Sequence, residues 1–170
     1  FLDIFLLLFL PQWGKLGIYP VREALDMQQL DLHSYECGYI DCFNEMVSAG
    51  VKALAFSRPA EREVRDRLLP FARASCQARG TKWYAEDDPL VTDLFPASAC
   101  RGKYLILLYR EDHILYQYLR LKERKAAQLA EGAYFGGNRS RIAWELGRLL
   151  SYPEETIRRL LQDNGEKESL

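Results

Sequence analysis

The sequence is short of the motifs that announce a chemistry. No CxxC pair occurs, so the spacing that builds most structural zinc sites is missing. Neither a Walker pattern nor a GxGxxG string is present, which removes the two commonest phosphate-cradling loops. There are only two histidines, His33 and His113. Charge of either sign is not in excess: 23 basic side chains face 24 acidic ones, for a net charge of −1. Binding to nucleic acid or an anionic membrane usually shows as a basic excess, so neither is expected here. The four cysteines, Cys37, Cys42, Cys76 and Cys100, are too sparse in 170 residues for a disulfide scaffold. Reduced thiols and a cytoplasmic address are the expectation.

Long apolar runs are also lacking. The longest, residues 1–10 (FLDIFLLLFL), falls well short of the ~20 residues a spanning helix needs. Its one charge, Asp3, has the wrong sign for a signal peptide. The chain opens on Phe1 rather than Met, so a trimmed or misplaced natural start is the expectation. An apolar decamer left uncovered would aggregate. It is therefore expected to pack on the body or on a second copy in a homo-oligomer, and no membrane partner is expected.

What is present is a set of three short apolar runs, each stopped by charge. They are residues 52–56, 82–85 and 103–109, followed by Ser57-Arg58, Glu86-Asp87-Asp88 and Arg110-Glu111-Asp112-His113. Helical spacing separates the first two, through Ala60, Val64, Leu68, Phe71, Ala72 and Cys76. Pro59 is expected to open that helix, Pro70 to kink it and Gly80 to end it. Residues 89–95, either a short helix or an extended loop ending at Pro96, are the weaker link between the second run and the third. The alternation predicts one α/β domain with a small, mainly parallel sheet between helical layers and a C-terminal helical extension. The third run is the longest and should lie near the sheet centre.

Flanking segments complete the picture. Residues 1–34 read as an irregular N-terminal segment, with a short strand at 16–19 and a helical turn or two at 21–32. The body spans 35–132. It opens with a helix over 35–49, ended by Gly50, and closes with a long helix from Asp112 to Gly132. Residues 133–139 read as a Gly-rich break. Helices at 140–150 and 153–162 then form a hairpin in a 133–165 segment. The polar tail from Asp163 is expected to fray.

In a parallel sheet, ligands gather beyond the carboxyl ends of the strands. Ser57 and Arg58 would hold an anion there, helped by Arg110. The plainer reading, Ser57 as an N-cap with Arg58 in solvent, weighs more. Glu86, Asp87 and Asp88, with Asp93 nearby, offer oxygen ligands for Mg²⁺. An ordinary solvated Asp-Asp-Pro turn explains them as well. His113, and Asp87 beside the metal, are the candidates for proton transfer, though the reading of His113 as a surface residue of a first turn weighs more. These groups matter only together, so the convergence of Arg58, Asp87 and His113 is itself an expectation. Asn138 and Arg139, after Gly136-Gly137, offer a second anion contact, against the alternative of a flexible connector. His33, Cys37, Asp41 and Glu45 recur every four residues and read as a solvated helix face.

Residues 142–147 (IAWELG) and 155–161 (ETIRRLL) resemble the two halves of a helix-turn-helix. Arg148-Leu149-Leu150-Ser151-Tyr152-Pro153 intervenes, about one helical turn too many, and Glu154-Glu155 would repel phosphates where a recognition helix approaches DNA. A packing hairpin is the preferred reading. The function expected first is binding of a small, anionic, phosphorylated ligand. A Mg²⁺-dependent hydrolase or transferase of phosphorylated substrates comes second, and a DNA-binding regulator third.

Overall fold

The computed structural model describes residues 31–169, of which 32–169 belong to one compact unit, Leu32–Leu170. The expectations for the apolar decamer, for the strand at 16–19 and for most of the helix at 21–32 lie outside the described residues.

Six helices and three strands make up the described chain. Helix α1, Leu32–Ser48, buries Cys37, Ile40, Phe43 and Val47 along one stripe and ends where Gly50 takes φ 73°. Strand β1 is Leu54–Phe56. Helix α2, Arg62–Arg79, runs through Pro70 and stops at Gly80, whose left-handed backbone (φ 68°) lets its N–H reach the Cys76 carbonyl. Strand β2 is Lys82–Glu86, α3 is the single turn Ala97–Cys100, and β3 is Leu105–Tyr109. Helices α4, Asp112–Ala130, α5, Gly136–Leu149, and α6, Glu154–Asp163, follow.

The sheet corrects the expected fold class. The described residues are 59% helical, around a three-stranded antiparallel sheet of order β1-β3-β2, so they do not form a mainly parallel α/β domain. β3 is indeed central but runs against both neighbours, with Leu54 opposite Tyr109 on one side and Glu86 opposite Leu105 on the other. The reason lies in the connections. Helix α2 is long enough to carry the chain back along the sheet, so β1 and β2 point the same way. Between β2 and β3 the one helical element has four residues, about 6 Å of rise, against about 17 Å of strand. Residues 87–104 hold only that one helical turn, so no crossover helix carries the chain back along the sheet, and β3 enters at the end β2 left, antiparallel to it.

All five β3 residues are buried. Alternation turns Leu105, Leu107 and Tyr109 toward a core shared with Tyr118 and Leu121 of α4, Ile142, Ala143 and Leu146 of α5, and Ile157 of α6. Ile106 and Leu108 face the other way, and α1 and α2 both pack on β3. The α5–α6 hairpin is thus part of the main core. Gly147 allows it: a Cβ built there would lie 2.7 Å from Ile157 Cγ1.

Three further expectations change. Gly136 and Gly137 are in the first turn of α5 rather than in a break, and α2 begins at Arg62, after an N-cap at Glu61, rather than at Pro59. The segment after α6 is pinned rather than frayed, because the buried Asn164 donates to the carbonyls of Asp93 (2.9 Å) and Phe95 (3.0 Å).

Candidate functional site

Antiparallel pairing divides the expected site. The carboxyl ends of β1 and β2 lie at one end of the sheet, and that of β3 lies at the other. Arg58 and Asp87 therefore share an end, while Arg110 and His113 sit at the opposite one, so Arg58, Asp87 and His113 do not converge.

Each flagged residue has a local employment. Ser57 is buried and continues the sheet: its N–H donates to the Ile106 carbonyl (2.8 Å), and its Oγ takes the Ile106 N–H (2.9 Å). Arg58 pairs with Glu36 at 3.1 Å and lies over the Tyr35 ring. Arg110 is exposed and reaches the Ser48 carbonyl at 3.4 Å. His113 is exposed in the first turn of α4.

The three acidic residues diverge. Glu86 is buried and accepts from Lys122 Nζ and the Asp88 N–H, both at 2.8 Å. Asp87 takes the buried Arg65 at 2.6 Å, whose guanidinium holds the Asp87 carboxyl below its ordinary range. Arg65 also donates to the Glu86 and Leu105 carbonyls, so it clamps the ends of β2 and β3 together. The exposed Asp88 offers Lys122 its backbone carbonyl. Among the described residues no three metal-ligating side chains gather.

On α5, Asn138 donates to the Ala133 carbonyl and closes the turn before the helix. Arg139 grips Asp93 with two bonds, of 2.7 and 2.5 Å. Along the four-residue stripe on α1, His33 and Glu45 are exposed, as a solvated face requires, and Cys37 departs from it. Cys37 is buried 3.6 Å from His33 Nε2, and Asp41 ties α1 to α2 through Arg79 (2.8 Å) and Ser75 (2.8 Å). Burial raises the thiols of Cys42, Cys76 and Cys100, the last to about 11, so none of these three is an activated nucleophile.

A broad concave surface lies elsewhere, between α4 and α5. It is an open groove of about 830 Å³ with an apolar floor that includes Ala53, Leu121 and Leu149. Arg120, Arg124 and Arg148 stand on its rim with Glu123 and Glu145, and the exposed Tyr116 sits at one end. Helical spacing makes the arrangement: Gln117, Arg120, Leu121 and Arg124 share one face of α4. Arg124 pairs with Glu145 across the groove, Arg120 with Glu123 (2.8 Å), and Arg148 with Glu154 (3.0 Å). The Arg148 guanidinium lies 5.6 Å from the Trp144 ring centre. These pairs are exposed, so each holds its partner weakly and can exchange it for an incoming anion.

Sequence reasoning passed over these arginines because each alone reads as a solvated charge. The Arg120–Arg124 spacing was the available signal, but the facing Arg148 is a tertiary fact. Beside the groove, Lys52 was missed as well. It is buried, donates to the Leu150 carbonyl at 2.6 Å near the end of α5, and lies 4.9 Å from the Tyr152 ring centre. Burial depresses its amine to about 8. Ser151 takes a left-handed backbone (φ 60°) just past α5, and its Oγ accepts the Ala53 N–H at 2.8 Å.

Among the described residues no helix is long and apolar enough to cross a membrane. Comparison with known proteins finds no matching protein-family model, no matching curated protein and no matching solved structure.

Proposed function

We propose that the protein binds a small anionic ligand, of the phosphorylated kind, in the α4–α5 groove. The observation that carries this reading is the three-arginine rim, Arg120, Arg124 and Arg148, around an apolar floor. Guanidinium groups recognise phosphate and carboxylate through paired N–H donors, and two facing helices present them from both sides. An apolar floor with a few convergent polar groups is the usual make-up of a small-molecule site. The ligand's apolar part lies on Leu121 and Leu149, and its anion displaces Glu145 from Arg124. The exposed Tyr116 offers a ring face to a base or other flat group.

Trp144, under Arg148, supplies the readout. Titration of wild type with nucleoside monophosphates and inorganic pyrophosphate is expected to change its fluorescence. Arg124→Ala combined with Arg148→Ala removes two charge-assisted contacts and is expected to weaken binding by at least about tenfold. Equal affinity in wild type and the double variant would contradict the groove as the site.

A further inference from the structure

The segment that follows α6 behaves as a bound peptide. Residues 164–169 read NGEKES and hold no apolar side chain. They nonetheless lie along a surface built by other parts of the chain. The Glu168 carboxylate accepts from Lys125 Nζ of α4 and from the Tyr134 hydroxyl (3.0 Å). Its N–H donates to Asp93 (3.1 Å), and its carbonyl takes Arg139 of α5 (2.6 Å). Asn164 donates to the Asp93 and Phe95 carbonyls. The Glu166 carbonyl accepts the Ala97 N–H (3.0 Å), and Ser98 donates to the Glu166 carboxylate.

The receiving surface needs that carboxylate. Lys125 is 8% exposed and Tyr134 is 2% exposed. Without Glu168 the pocket would hold two cations, Lys125 and Arg139, against one carboxylate, Asp93. Lys125 would keep only the Val91 carbonyl (2.6 Å) from its present oxygen partners. A buried cation left short of a partner is costly, so the pocket selects for an anion. Burial, and then the Glu168 charge, push the Tyr134 phenol above its ordinary range, which keeps it a donor. The occupant is held by polar contacts alone, and Gly165, Glu166, Lys167 and Ser169 are exposed. A segment so held opens at lower free energy than the helices beneath it.

We infer that Lys125, Tyr134, Arg139 and the 93–98 backbone form a binding site for an extended acidic peptide, filled in cis by residues 164–169. The occupant defines the ligand: an Asn-type amide at one end, and a glutamate four residues on whose carboxylate lies between Lys125 and Tyr134. Another chain carrying that pattern displaces the cis segment and docks in its place. None of the groove arginines takes part, so this inference and the proposed function stand or fall separately.

The test uses the full chain with Asn164→Ala and Glu168→Ala, which removes the two cis anchors. The probe is a labelled peptide, NGEKES, read by fluorescence anisotropy, with the same peptide carrying Glu168→Gln as the control. The double variant is expected to bind NGEKES at least about tenfold more tightly than wild type, and the Gln peptide at least about tenfold more weakly than NGEKES. No binding by a folded double variant, or equal binding of the two peptides, overturns the site. Wild-type hydrogen exchange provides a reading that needs no substitution. The Glu168 amide is expected to exchange at least about a hundredfold faster than those of Ile142 and Leu146 in α5. Exchange at the same rate as α5 would show that the segment leaves only on unfolding, which also overturns the inference.

Discussion

Gly147→Val is expected to destabilise the protein by about 2–3 kcal/mol, read as a lower urea midpoint at unchanged slope. Helices α5 and α6 meet at this residue. A Cβ would stand 2.7 Å from Ile157 Cγ1 and 2.8 Å from Cδ1, closer than carbon atoms approach. Ile157 is fully buried in the core that also holds Leu146, Leu150 and Tyr118, so it has no free space to yield into. Gly38 supplies the contrast. It lies inside α1 with nothing within 4 Å of a built Cβ, and Gly38→Ala is expected to stabilise by about 1 kcal/mol through helix propensity. Opposite signs at two helical glycines separate close packing from propensity. A Gly147→Val protein as stable as wild type would show that α5 and α6 do not approach as described.

The second large effect concerns Lys52 and is a dependence on pH. Below about pH 8 its amine is protonated in both the folded and the unfolded chain, and the stability gap between wild type and Lys52→Met stays flat. Above that, the folded protein releases the proton first, while the unfolded chain keeps it until its ordinary pKa of about 10.4. The unfolded state then binds more protons, so wild-type stability rises with pH relative to the variant. The slope approaches about 1.4 kcal/mol per pH unit, for a total of about 2–3 kcal/mol across the window from about 8 to 10. Tyrosine ionisation affects both proteins alike and cancels in the difference. Urea titrations of the two proteins at several pH values measure the gap. A gap independent of pH would mean that Lys52 is solvated.

Much of the architecture was legible in the residues. The three apolar runs are the three strands, and Gly50 and Gly80 end the helices they were expected to end. Strand direction was not legible, for a physical reason. A strand covered on both faces reads as a continuous apolar run, which is the usual mark of a parallel sheet. Here β3 earns that pattern as the middle strand of an antiparallel sheet with helices against both faces. The connection over 87–104 is long enough for either direction, and its one helix, of four residues, carries little signal.

The candidate site was less legible still. Arg139 was flagged as an anion contact, and it does hold carboxylate, but that of Asp93, 46 residues earlier. Asp87 drew notice as a metal ligand, whereas Arg65, 22 residues before it, claims its oxygen. Pairings across such distances depend on topology, and the topology turned on the direction of β3. Residues 164–169 show the same limit. A polar tail predicts fraying on composition, and only the folded body shows that Asn164 and Glu168 have partners waiting.

The most direct measurement of the groove reading is a two-dimensional amide spectrum of the labelled protein, recorded while pyrophosphate is added. The account predicts shifts concentrated at Gln117, Arg120, Leu121 and Arg124 of α4 and at Glu145, Arg148 and Leu149 of α5, lost in Arg124→Ala with Arg148→Ala. Shifts centred instead on Ser57, Arg58 and Asp87, or no saturable shifts in wild type, would contradict it.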